Sequence, residues 1–201
     1  MSNSVQSVRG GQGQFGALLR TVLRDKRLLI LDYDGTLAYL AIDWQSVRRD
    51  LARTAAELGF ESTFRPLWPE MTRFRDQMGP EDLPALFRVI ARHEAIGVDG
   101  QRPRSEIVDN VRRVLHEDPR QAMIFSSNLH ETIKAGVRKL RLTSIAAIVG
   151  ADDVAHWKPE PDGLNLLLER SGVEPESALF IGDSSTDAVA AAAAGVHFLA
   201  V

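Results

Sequence analysis

The chain has 201 residues, 44% hydrophobic and 25% charged, with a net charge of −3 and no cysteine. That composition suits a globular protein of one domain with an insert, or two small domains, and it excludes disulfides, thiolate metal sites and cysteine nucleophiles. It supplies no bulk positive charge for nucleic acid, no apolar run approaching the roughly 18 residues of a membrane span, and no apolar segment of a secretory leader at the start, so the expectation is a cytoplasmic protein with neither nucleic-acid nor membrane partners.

Residues 1–14, MSNSVQSVRGGQGQ, are polar and glycine-rich and are expected to form a flexible tail. Phe15, Leu18, Leu19, Val22 and Leu23 recur at helical spacing, which predicts a short helix packing on a sheet edge. The block Leu28, Leu29, Ile30, Leu31 then reads as a strand buried on both faces. It stops at Asp32, Tyr33, Asp34, Gly35, Thr36. In open parallel sheets ligands sit beyond the carboxyl ends of strands. Alternation along an extended chain points Asp32 and Asp34 one way and Tyr33 the other.

Residues 41–101 contain no convincing strand and read as a helical insert. Asp43 can cap a helix beginning near Trp44, with Val47, Leu51, Ala55 and Leu58 on its apolar face. Pro66, Pro69, Pro80 and Pro84 divide the rest of the insert into short segments, with a helix expected over residues 84–96. The insert is rich in arginine (Arg48, Arg49, Arg53, Arg65, Arg73, Arg75, Arg88, Arg92). Solvated faces with local acidic partners explain most of these, and one or two could bind an acidic substrate group.

After the insert, residues 105–117 predict a helix with Ser105 as its cap. A strand over 122–125 ends in Ser126, Ser127 and Asn128. A helix over 129–140 and a strand over 145–149 come next. Lys158 lies in KPEPDG, stiffened by proline on either side of Glu160, just before a leucine-rich helix. The strand at 178–181 ends in GDSSTD, where Asp183 and Asp187 are four residues apart and share one face if a helix begins there. An alanine-rich helix and a fifth strand from His197 complete the pattern.

Strand ends thus carry Asp32 with Asp34, Ser126, and Asp183 with Asp187, and Lys158 precedes a helix on the same side. Carboxylates gathered at one sheet edge repel each other by several kcal/mol per close pair, so positive charge must join them. Lys158 supplies one unit. With oxygen donors only and no histidine at ligand spacing, Mg2+ is the divalent cation that fits, and its preference for carboxylate, water and phosphate oxygen points to phosphoryl chemistry with a carboxylate nucleophile. His93, His116, His130, His156 and His197 read as surface or structural residues.

The ordered set DYDGTL, IFSSN, KPEPDG and FIGDSSTDAVAAAAAG resembles the haloacid dehalogenase superfamily, in its phosphoglycolate phosphatase-like branch. The resemblance implies an α/β fold, a Rossmann-like parallel-sheet core (residues 15–40 and 102–201) with a small helical, C1-type cap at 41–101. It implies a phosphatase acting on a small phosphorylated metabolite, phosphoglycolate-like or a sugar phosphate. Asp32 would be the nucleophile, and Asp34 the acid toward the leaving oxygen and then the base toward water. Ser126, Ser127 and Asn128 would hold phosphate oxygens with Lys158, which also neutralises charge. The carboxylates of Asp32 and Asp183 and the backbone carbonyl of Asp34 would bind Mg2+, with Thr36 and Asp187 in support. Asp34 argues against dehalogenation, and Gly182 against the sugar phosphomutases, where an acidic residue often precedes the aspartate. A phosphomutase and a catalytically quiet binding module are the alternatives. Tyr39 and Leu40, in place of the usual Asp-Ser, and Trp157, in place of glycine, leave the substrate open. Trp157 is either a packed core aromatic or a pocket wall.

Overall fold

The structure is a computed structural model that describes residues 6–7 and 14–201. The chain divides into two compact units, one running to Tyr39 and resuming at Gln101, the other spanning Leu40–Gly100.

The first unit is built on a parallel sheet. Its strands are β1 (Gln6–Ser7), β2 (Leu28–Leu31), β5 (Gln121–Phe125), β6 (Ile145–Val149), β7 (Ala178–Gly182) and β8 (His197–Ala200), in the order β1-β8-β7-β2-β5-β6. A separate antiparallel pair, β3 (Ala38–Tyr39) and β4 (Arg102–Pro103), joins the two chain passages that lead into and out of the second unit. β2 lies centrally between β7 and β5, and all four of its residues are fully buried, which is why it reads as an unbroken apolar run. The chain departs from β2 to either side, so the carboxyl end of this strand is the topological switch point.

Helices cover the sheet. α1 (Gln14–Val22) packs on α5 (Ser105–Glu117), where a Cβ on Gly16 would meet the Asn110 side chain. α6 (His130–Lys139) lies by β6, while α7 (Asp162–Ser171) and α8 (Ser185–Ala194) pack over one face. On that face Leu28, Ile30, Met123, Phe125, Ala178 and Phe180 form a core with Leu164, Leu167, Ala190 and Ala191.

Two expectations need correction. Within the supposed tail, Gln6 and Ser7 pair in parallel with Leu199 and Ala200, and Gln14 already belongs to α1; residues 1–5 and 8–13 lie outside the described residues. Ser105 is the first helical residue of α5 rather than its cap, because the capping position falls on Arg104.

The second unit is helical: α2 (Trp44–Glu57), α3 (Leu67–Met78) and α4 (Leu83–Asp99). The Asp43 carboxylate accepts from the Gln45 and Ser46 amides at 3.0 and 3.2 Å, the anticipated cap. α2 packs on α4, and His93 meets Asp50 at 2.9 Å. α3 was not anticipated. Pro69 falls in its first turn, where the missing N–H has no intrahelical partner to lose, so the proline starts the helix instead of breaking it. Arg53, Arg73 and Arg75 pair with Asp50, Glu70 and Asp76 beside them.

Candidate active site

The site forms where β2 ends. The Asp32 amide extends the strand ladder by donating to Ile181 O at 2.8 Å, and the residue is only 4% exposed. Tyr33 is fully buried and donates its hydroxyl to Gln101 Oε1, while Gln101 Nε2 donates to Gly136 O of α6 at 3.2 Å. The Tyr33 carbonyl then accepts from the Leu37 amide at 2.9 Å and the Gly35 amide donates to Ala38 O at 2.8 Å, which turns the chain sharply away from the sheet.

Gly35 is required in that turn for two reasons. Its φ of +88° lies in the left-handed region, and a Cβ there would stand 2.3 Å from Asp183 Oδ2. The backbone can approach the Asp183 carboxylate only without a side chain. Its carbonyl accepts from Arg104 Nη1 at 2.5 Å, and the Arg104 guanidinium lies 5.6 Å from the centre of the Tyr39 ring.

Lys158 reaches this point from the segment before α7. Its Nζ lies 2.9 Å from Asp32 Oδ1, 2.9 Å from Phe125 O and 2.7 Å from Asp187 Oδ1, and the residue is buried. Asp187 does two jobs. Its Oδ2 accepts from the Ser184 hydroxyl at 2.6 Å and amide at 3.1 Å, closing a capping box on α8, while Oδ1 faces Lys158. Asp183 precedes α8, so the two acids do not share a helix face as anticipated. It faces the open crevice, with the Thr36 hydroxyl donating to Oδ1 at 3.4 Å.

One carboxylate oxygen from each of Asp32, Asp183 and Asp187 lies within 4.8 Å of the others. Asp34 is half-buried and stands outside that group of three. Ser126 and Asn128 are buried after β5 and Ser127 is half-buried; the Ser126 hydroxyl donates to Asn128 Oδ1 at 3.0 Å. Trp157 is core, with Nε1 donating to Ala151 O at 2.8 Å. His93, His130 and His156 pair with Asp50, Asp153 and Asp162.

The electrostatics arise from this crowding. Burial, opposed by Lys158 and aided by the charge of Asp187, pushes the Asp32 carboxyl up to about 6. Burial and Asp187 also raise Asp183. For Lys158, burial alone would lower the value, but Asp32 and Asp187 outweigh it and hold the ammonium charged. Three carboxylates against one ammonium leave two negative charges in an all-oxygen donor set, which fits a hard divalent cation. Both oxygens of Asp187 are already engaged, so Asp32 and Asp183 are the side chains placed to hold it. Gly35→Ala should therefore force Asp183 aside. Divalent-cation titration by calorimetry should show affinity weakened by about tenfold or more, with about 1–3 kcal/mol of folding stability lost to backbone strain.

Arg104, Phe125 and Phe180 are neighbours of the site that no spacing rule marks. An arginine in RPRSE and two phenylalanines inside apolar runs carry no local signal; the sheet order brings in the phenylalanines, and the hydrogen bond to Gly35 O brings in Arg104.

Residues 29–201 match the model of the family described as haloacid dehalogenase-like hydrolase. Phosphoglycolate phosphatase 1 of Pseudomonas aeruginosa is 46% identical over 54 residues, which are 27% of this chain and 20% of that protein. Pyrophosphatase PpaX of Bacillus velezensis is 38% identical over 79 residues, 37% of this chain and 35% of that one. The matched segments thus span about a fifth to a third of those relatives. Among solved structures, CbbY of Rhodobacter sphaeroides in complex with phosphate superposes with a TM-score of 0.62 at 23% identity, covering 87% of this chain and 85% of that one, a likeness of fold.

Proposed function

Because the chain belongs to the haloacid dehalogenase-like hydrolase family, we propose that it is a phosphatase that hydrolyses a small-metabolite phosphomonoester with the help of Mg2+. The observation that carries this is the Lys158 ammonium held between Asp32 and Asp187, with Asp183 opening the same group to the crevice. The segment shared with Phosphoglycolate phosphatase 1 supports the class of reaction.

The carboxylates of Asp32 and Asp183 and the backbone carbonyl of Asp34 would hold Mg2+, which would supply charge neutralisation for the phosphate. Asp32 attacks phosphorus, forming an aspartyl phosphate as the bond to the ester oxygen breaks. Asp34 gives that oxygen its proton, then takes one from the water that attacks phosphorus and releases inorganic phosphate, restoring Asp32. Lys158 offsets the charge between nucleophile and phosphoryl group. Ser126 turns its hydroxyl from Asn128 to a phosphate oxygen, and Ser127 and Asn128 complete that cradle. Thr36 steadies Asp183, and Asp187 steadies Lys158.

The substrate is a phosphoglycolate-like or sugar phosphate, and release of free phosphate distinguishes hydrolysis from a phosphomutase. A Cβ on Gly182 would lie 2.6 Å from Asp187 Oδ2, so the acidic residue associated with phosphomutases has no room here. Among the described residues no helix is long and apolar enough to cross a membrane. A panel of phosphorylated metabolites assayed with Mg2+ tests the proposal: stoichiometric phosphate from at least one supports it, and silence across the panel favours a binding module.

Protons and the cation compete for the same carboxylates. With Asp32 raised to about 6, its protonation alone should make Mg2+ affinity fall by up to about tenfold per unit below pH 6, and the raised Asp183 should steepen that fall. Calorimetric titration across pH 5–8 checks this; an affinity unchanged over that range would sink it.

A further inference from the structure

Lys158 has a third kind of neighbour besides its carboxylates and the Phe125 carbonyl. Its Nζ stands over the Phe125 ring, 4.6 Å from the centroid, and over the Phe180 ring, 5.1 Å from the centroid. The two rings come from β5 and β7, the strands that flank β2, and their centroids are 6.1 Å apart. They belong to the sheet face that carries Leu28 and Ile30, and by strand alternation Asp32 continues that face. The rings therefore pave the ground directly behind the carboxylate that receives the ammonium.

The packing preserves this arrangement at some cost. A Cβ on Gly163, in the first turn of α7, would lie 2.1 Å from Cε2 of Phe125, so the ring occupies space that any other residue at 163 would take. Phe180 is held from the far side by Phe198, with centroids 5.9 Å apart. An aliphatic side chain would fill the same core volume, whereas only a ring presents a negative face to an ammonium that has lost its water.

We propose that Phe125 and Phe180 are positioning residues: their ring faces fix the Lys158 ammonium against Asp32 and Asp187, and so set the charge at the phosphoryl site. The kinetic consequence rests on the phosphatase reading; the structural one does not.

The test replaces Phe125 in the full chain by mono-, di- and trifluorinated phenylalanine, which drain the ring face of negative charge at nearly constant size. The denaturation midpoint should fall stepwise with fluorine, and kcat should drop by about tenfold across the series with KM little changed. In a Lys158→Met background the midpoint should not respond to fluorine. At the second ring, Phe180→Tyr should keep kcat and Phe180→Leu lose it. Equal slopes in the two backgrounds overturn the proposal, and so does a midpoint that ignores fluorine in the Lys158 chain, even if Lys158→Met does not fold. If no phosphate ester is turned over, the phosphatase reading fails and the midpoint series still decides the role of the rings.

Discussion

Asp32→Asn should abolish turnover, by about 10⁵-fold, while leaving the protein folded. On the proposed mechanism an amide cannot form the aspartyl phosphate, and loss of the nucleophile would remove the whole covalent route rather than a fraction of it. The stability side distinguishes this from damage. Asp32 is buried with its carboxyl pushed up to about 6, so at about pH 7.5 without metal the fold bears the cost of a buried charge. Its replacement keeps an oxygen for Lys158 and leaves Lys158 with Asp187 as a neutral pair. The metal-free melting temperature should stay level or rise, and the stabilisation conferred by Mg2+ should vanish. Residual activity within about tenfold of wild type would remove Asp32 from the chemistry.

Lys158→Ala should fail on both counts. The ammonium is the cation that sits between Asp32 and Asp187. Removing one partner of a buried ionic group strands the others and costs about 3–5 kcal/mol. Turnover should fall further than that loss of folding explains, since the charge behind the phosphoryl group goes too. The deficit should depend on pH with a definite sign. Without Lys158 only the hydrogen bond from the Tyr33 backbone still opposes burial and the charge of Asp187, so the Asp32 carboxyl rises above its present value of about 6. A carboxyl raised in the folded state contributes stability at low pH that is lost as pH climbs through the folded value. The variant should therefore approach wild-type stability below about pH 5 and fall away from it above about pH 6. Urea titrations on either side of that window measure this, and an equal deficit at both would contradict it.

The elements that build the site were largely legible because central parallel strands are apolar on both faces and stop abruptly. Leu28–Leu31 and the strand opening at Ala178 stand out for that reason, and each ends in glycine or polar residues; Ile145–Val149 is an edge strand, only partly buried, and was legible from its apolar run alone. Elements defined by distant pairing were not. Ala38–Tyr39 exists as a strand only because Arg102–Pro103 returns beside it, and Gln6–Ser7 only because His197–Ala200 offers an open edge. α3 was hidden by a proline whose meaning depends on whether it falls inside a helix or at its start. At the site, KPEPDG marks Lys158 as a fixed point but says nothing of its depth or of the phenylalanines beneath it. Asp183 and Asp187 looked like helical partners because they are four apart; the capping box on Ser184 instead puts one in the crevice and the other under Lys158.

The most direct measurement is phosphate release from a generic aryl phosphate, followed first in Mg2+ and then after EDTA. Convergence of Asp32 and Asp183 on one cation predicts release in Mg2+, its loss with chelator and its return when Mg2+ is added in excess. Release that continues undiminished in EDTA would show that those carboxylates gather for some other purpose.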